Sequence, residues 1–332
     1  MHVRGFMSEY RQDPVTENWV IVAQNRGERP DEFGLPSWRR QSTVCPFCEG
    51  QEQETPPEIA RYPLPGQTTW GVRVVPNKFP AVTRRSAEPV HECPPFHRQE
   101  GLGAHEVIIE SPTHVVTLTD VPEIHSELAF RAYADRLSAL RSQADYGYGV
   151  VFKNVGAEAG ASLEHVHSQV LATSLVPPAI AALHARWQRR CLPTGCSMVR
   201  EFLESELAVE IRVVARTEHF VAICPFASRV PFEVRILPFA HSPYFEVTSP
   251  DQLTELARLV REVSRRIEIA TNRGAYNLII HTAPFDTACY DYYHWHIEIL
   301  PRLTRSAGFE WGSGCHINPL APEEAAARLR DC

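Results

Sequence analysis

The chain has 332 residues, 44% of them hydrophobic and 22% charged, enough apolar surface for a globular core and a length that predicts two domains. A formal net charge of −7 excludes a surface built to wrap nucleic acid or coat an anionic membrane, and no apolar run approaches the ~18 residues of a membrane span. Nine cysteines, an odd number spread over a long chain, exclude a secreted disulfide framework and fit a reducing cytoplasm with some thiols on metal.

Residues 1–10 hold no apolar core of signal-peptide length. The segment up to residue 60 carries Cys45-Pro46-Phe47-Cys48, whose two thiolates are spaced to grip one tetrahedral zinc. A redox pair looks similar, but this one does not open a helix after a thioredoxin-like strand. Zinc needs two more ligands, for which His114 and His165 are candidates; that leaves His167 free for chemistry.

Residues 107–110 read as a buried strand, 122–143 as a helix, and 150–153 and 163–171 as strands. The second half repeats this order, with a strand over 232–237, a helix over 250–270 and strands over 276–281 and 292–300. Ser249, Pro250 and Gln252 form the signature of a capping box with proline at the first helical position. Asp120 stands 45 residues before His165, and Ser249 stands 45 before His294. Each closing strand carries a His-x-His pair, His165 with His167 and His294 with His296, and residues two apart in a strand share a face. Order, spacing and motif recurring together indicate an internal duplication. The expected fold is α+β, two tandem modules over residues 1–185 and 186–332, each an antiparallel sheet with helices packed on it. The second half holds a weaker echo of the metal set in Cys191, Cys196, His241 and His294, with His281, His294 and His296 as an alternative.

Gly160-Ala161-Ser162-Leu163-Glu164-His165-Val166-His167-Ser168-Gln169 resembles the active-site signature of the galactose-1-phosphate uridylyltransferases, a branch of the histidine-triad superfamily. Val166 and Ser168 stand where the family usually has proline and glycine. The resemblance runs along nearly the whole chain. It takes in Asp13-Pro14, Trp19 to Val22, Arg26 to Pro30, Asn77-Lys78-Phe79-Pro80, Ser111 to His114 and Ala307-Gly308-Phe309-Glu310. It implies two tandem histidine-triad-like modules, a homodimer, zinc on Cys45, Cys48, His114 and His165, and His167 as the nucleophile. Zinc with four protein ligands has no open position and is structural.

The implied reaction exchanges UMP between UDP-glucose and a hexose 1-phosphate, galactose 1-phosphate, in ping-pong fashion through a uridylyl-histidine. Neutral imidazole suits it: the ring attacks phosphorus without bringing a repelling charge and then departs readily. Ser162 and Gln169 are expected to donate to the phosphoryl oxygens, and Arg26 and Arg29 to offer forked donors to phosphate. Lys153 and Asn154 come next in line, Asn77 is assigned to the nucleoside, and Phe309 and Glu310 to the sugar. His316 stands where uridylyltransferases commonly place a sugar-contacting glutamine, and residues 308–318 look closer to the branch that includes ADP-glucose phosphorylase. Family members with an iron-type second site use a glutamate after the active-site strand. Residues 174–179 offer no carboxylate, so zinc or iron in the second half stays open. A nucleotide-sugar phosphorylase using the same histidine is the alternative reading, and a non-catalytic zinc-stabilised nucleotide-binding module is the alternative of another class.

Overall fold

The structure is a computed structural model that describes residues 8–24, 26, 45–84, 95–96, 99–194, 198–285 and 292–332. Along the first half run β1 (Glu9–Gln12), β2 (Trp19–Val22), β3 (Ala60–Pro63), β4 (Trp70–Pro76), β5 (Gly103–Ile109), α1 (Glu123–Arg141), β6 (Tyr148–Val155), β7 (His167–Thr173) and α2 (Pro178–Thr194). The second half has α3 (Met198–Val209), β8 (Val213–Arg216), β9 (Phe220–Ile223), β10 (Val234–Pro238), α4 (Pro250–Ala270), β11 (Tyr276–His281) and β12 (His296–Pro301). The chain closes with α5 (Gly308–Ser313), β13 (His316–Asn318) and α6 (Pro322–Arg330).

Ten of these strands make one antiparallel sheet in the order β3-β4-β5-β7-β6-β11-β12-β10-β9-β8. Read outward from the centre, the two halves have the same succession: β6 matches β11, β7 matches β12, β5 matches β10, and so on to the edges. The halves join where β6 pairs with β11, from Tyr276 opposite Val155 to His281 opposite Val150. The duplicated α+β modules therefore share one continuous sheet. α1 and α4, at corresponding places in the two halves, pack on each other and on the sheet. The α4 capping box forms as expected, with the Ser249 hydroxyl accepting the Gln252 N–H and the Gln252 side chain accepting the Ser249 N–H. The division at 185/186 falls inside α2.

Alternation along β7 decides which side chains reach the site. Ser168, Val170 and Ala172 are buried, while His167, Gln169 and Leu171 lie on the other, more open face. β12, the counterpart strand, is buried along its whole length. A separate three-stranded sheet brings the chain's two ends together: β2 pairs antiparallel with β1 and parallel with β13, placing His316 opposite Val20.

Three expected strands start late, among them β10 at Val234 rather than residue 232. β7 begins at His167 rather than residue 163, and β12 at His296 rather than 292. The Val166 N–H donates to the Val115 carbonyl, and its side chain packs with Leu118 and Val121, so the lead-in serves the segment after β5 and not the ladder.

Candidate active site

His167 opens β7 above a cavity of about 960 Å³, which Ser162, Gln169, Asn77, His105 and Phe47 also line. Its Nδ1 donates to the carbonyl of His165, 2.6 Å away. This fixes the tautomer with the proton on Nδ1 and leaves a bare Nε2 lone pair. Burial holds the ring's pKa below the usual histidine value, keeping it neutral and nucleophilic. Gln169, two residues on, shares the face. Ser162 comes from the turn before the strand, where Gly160 adopts φ 86, a left-handed conformation that favours glycine.

Below the cavity, Cys45, Cys48, His114 and His165 bring four ligand atoms within 4.8 Å of one another. The separations are Cys45 Sγ to His165 Nδ1 3.5 Å, Cys48 Sγ to His165 Nδ1 3.7 Å and Cys48 Sγ to His114 Nδ1 3.7 Å. Zinc bond lengths give tetrahedral edges of roughly 3.3–3.8 Å, so the set fits one zinc ion. His165 is already oriented for the task, because its Nε2 donates to the Ser111 carbonyl at 2.8 Å and leaves Nδ1 turned inward. Burial lowers its pKa to about 4, and burial together with the neighbouring Cys45 pushes the Cys48 thiol up to about 11. The Phe47 ring stands edge-on to both His165 and His167, at 5.9 and 5.3 Å, joining the metal set to the cavity.

Other expected site residues lie apart from this cavity. Arg26, Glu310 and His316 line a second pocket of about 50 Å³ with Arg229 and Arg305. Phe309 is about half exposed on α5. Arg29 lies outside the described residues. Asn154 lies on the more open face of β6, where its Oδ1 accepts from Asn277. Lys153 must be corrected: it is 1% exposed, paired with Glu110 beneath the sheet, and its Nζ donates to the His167 carbonyl at 2.9 Å. It cannot touch substrate, because neighbouring residues in a strand face opposite sides.

In the second half, the His241 and His294 rings approach to 5.7 Å. His294 repeats the geometry of His165: its Nε2 donates to the Pro238 carbonyl at 2.8 Å, and its buried Nδ1 has no hydrogen-bond partner. Cys191 does not converge with them; it sits in the hydrophobic core on α2. Cys196 lies outside the described residues. Another metal-capable group is His281, His296 and Glu298. His296 occupies the place equivalent to His167, but it is buried on a strand that is buried along its whole length. Glu298, two residues on, is held by Arg229 and Arg235, and Arg235 also binds Asp13 from the opening segment. Sequence reasoning missed His105, Glu110, Tyr133 and Ser168. A carboxylate closing the apolar run 107–109 was the available signal for Glu110.

The family model described as galactose-1-phosphate uridyl transferase, N-terminal domain, matches residues 4–177, and one described as a domain of unknown function matches residues 117–331. The chain is 35% identical to an ADP-glucose phosphorylase of Arabidopsis thaliana, over 97% of this chain and 92% of that protein. It is 31% identical to a galactose-1-phosphate uridylyltransferase of Thermotoga maritima, over 98% of each. Among solved structures, the Arabidopsis thaliana ADP-glucose phosphorylase with bound ADP-glucose superimposes with a TM-score of 0.83 at 33% identity, covering 98% of this chain and 99% of that one.

Proposed function

The chain belongs to the galactose-1-phosphate uridylyltransferase family, and on that premise we propose that it transfers a nucleoside monophosphate from a nucleotide sugar to a sugar phosphate through a covalent bond to His167. The named reading is exchange of UMP between UDP-glucose and galactose 1-phosphate. His167 carries the proposal, since its Nδ1 is tied to a carbonyl and its neutral ring faces the cavity beside Gln169 and Ser162.

In the first half-reaction Nε2 attacks the α-phosphorus. A nitrogen–phosphorus bond forms, the bond to the bridging oxygen breaks, and sugar 1-phosphate leaves with the electron pair. In the second, a phosphate oxygen of the acceptor attacks the same phosphorus and the imidazole departs with its electrons. Ser162 and Gln169 donate to the non-bridging oxygens as charge builds, a contribution of roughly 3 kcal/mol per donor. Bound zinc would hold the lead-in to β7 rigid through Cys45, Cys48, His114 and His165. His241 and His294 are proposed for a second cation, on the strength of the unpartnered His294 Nδ1. A reducing cytoplasm suits thiolate ligands. No helix of the described residues is long and apolar enough to cross a membrane.

Of the residues expected to bind substrate, Asn77 lines the His167 cavity, while Arg26, Glu310 and His316 line a second pocket. Beside the second, α5 exposes Phe309 and Trp311, the latter 80% exposed. We therefore propose a homodimer in which each copy presents its second pocket to its partner's His167 cavity.

A second reading, ADP-glucose phosphorylase, draws support from the 35% identity and the TM-score of 0.83 to the Arabidopsis thaliana enzyme. One experiment covers both. Enzyme mixed with UDP-glucose or ADP-glucose and no acceptor is expected to gain one nucleotidyl mass on the peptide containing His167 and to release glucose 1-phosphate. Adding galactose 1-phosphate or inorganic phosphate then names the acceptor. Label on another residue, or none with any nucleotide sugar, sinks the proposal.

A further inference from the structure

We propose that Asn77 and His105 form a latch that fixes the side-chain amide of Gln169 so that its NH₂ group, not its oxygen, faces the α-phosphate; this rests on the nucleotidyl-transfer reading above. A glutamine amide has a donor end and an acceptor end, exchanged by a half-turn. Only the donor end stabilises a phosphoryl oxygen as it gains charge. With nothing holding it, the amide would turn its oxygen toward the phosphate part of the time.

Two independent anchors settle the orientation. The Ala81 N–H lies 3.1 Å from His105 Nδ1, so that nitrogen is the acceptor and the ring proton sits on Nε2. That Nε2 is 2.7 Å from Gln169 Oε1 and donates to it. Asn77 is pinned in the same way: its Oδ1 accepts the Phe79 N–H at 2.9 Å, which turns its NH₂ toward Gln169 Oε1 at 3.3 Å. The two donors stand 3.2 Å apart and share one acceptor. Both lone pairs of the Gln169 oxygen are thereby engaged, and the NH₂ end is left for the cavity that Gln169 lines with His167. Burial lowers the His105 pKa and favours the neutral ring this arrangement needs. The latch crosses three elements, the turn after β4, β5 and β7, so it also holds the nucleoside side of the cavity in register with the nucleophile. His105 is a positioning residue: it acts through Gln169.

The test uses two variants and one spectroscopic reading. His105→Phe keeps a ring against Phe152, whose centroid lies 6.5 Å from that of His105, but can donate nothing. It is expected to slow adduct formation from saturating nucleotide sugar by about 10- to 100-fold, with less than about a threefold change in half-saturation. His105→Gln offers an acceptor to Ala81 and a donor to Gln169, and is expected to recover most of the rate. Wild-type speed in His105→Phe overturns the latch, as does a Gln variant as slow as the Phe variant when both melt at the wild-type temperature. Histidine-selective ¹⁵N labelling, with the His105 signals assigned by their loss in His105→Phe, is expected to show the proton on Nε2. A proton on Nδ1 overturns the latch whether or not the enzyme turns over. A wild-type protein that takes no nucleotidyl group defeats the reaction reading instead, and the tautomer still decides the latch.

Discussion

Lys153 and Glu110 form a fully buried ion pair directly under His167, the proposed nucleophile. Tyr133 and Ser168 both donate to Glu110, and the Lys153 ammonium reaches the His167 carbonyl. Burial pulls the Lys153 pKa down and Glu110 opposes that pull. Burying two charges costs several kcal/mol each, and removing one partner strands the other. Lys153→Met is therefore expected to lose about 3–5 kcal/mol in chemical denaturation. The double variant Lys153→Met with Glu110→Leu should return close to wild-type stability, because Tyr133 and Ser168 still have each other at 2.9 Å. Adduct formation should stay slow in the double variant, since the His167 carbonyl has lost its donor; full speed there would show the pair to be structural only. At this scale the sequence is legible where a local motif places a side chain, as with His167 and Gln169, which share the more open face of β7 and line one cavity. It misleads at Lys153, grouped with Asn154 as a substrate ligand although adjacent strand residues face opposite sides and only Asn154 lies on the more open one. The partner of Lys153 lies 43 residues away, a separation no local pattern reveals.

Among the elements, those with chemical punctuation are legible. The helix over residues 250–270 has its cap, its proline and an apolar stripe, and it forms over those residues. The strands over 163–171 and 292–300 are half legible, because their apolar pattern runs back into lead-ins that pair elsewhere. In the first half that lead-in carries His165, which the proposed zinc ties to the turn holding Cys45 and Cys48 and to the segment ending at His114. Three pieces of chain far apart in sequence depend on one ion, and metal binding is then part of the folding free energy. Cys45→Ser is expected to contain about one zinc fewer per subunit and to melt several degrees lower. Full zinc content in that variant, by elemental analysis of exhaustively dialysed protein, would refute the ligand assignment. His165→Asn should behave likewise, while His167→Gly, which leaves the cluster intact, should keep its zinc.

The whole molecule shows what duplication left open and what it closed. Both halves place a His-x-His pair at the head of equivalent strands, but β7 looks onto a large cavity while β12 is buried, with Asp13, Arg229 and Arg235 drawn around Glu298. The pocket of Arg26, Glu310 and His316 forms where β13 of the second half docks on β2 of the first. Sequence periodicity reveals the repeat but cannot tell which copy stays open, because the network around Glu298 draws in Asp13 from the far end of the chain. Neither can it show that the expected sugar contacts stand apart from His167 in one chain. If a partner copy supplies them, inactive variants should rescue one another. Subunits with His167→Gly and subunits with His316→Ala plus Glu310→Gln, each inactive or nearly so, would be unfolded together and refolded in equal amounts. In a mixed dimer one site collects every substitution and the other collects none. Random pairing then restores about a quarter of wild-type activity. If both pockets serve the same chain, every site in the mixture carries at least one defect and no activity returns. Size-exclusion chromatography with light scattering on the same sample must show dimers, since rescue without a dimer would overturn the arrangement as surely as a dimer without rescue.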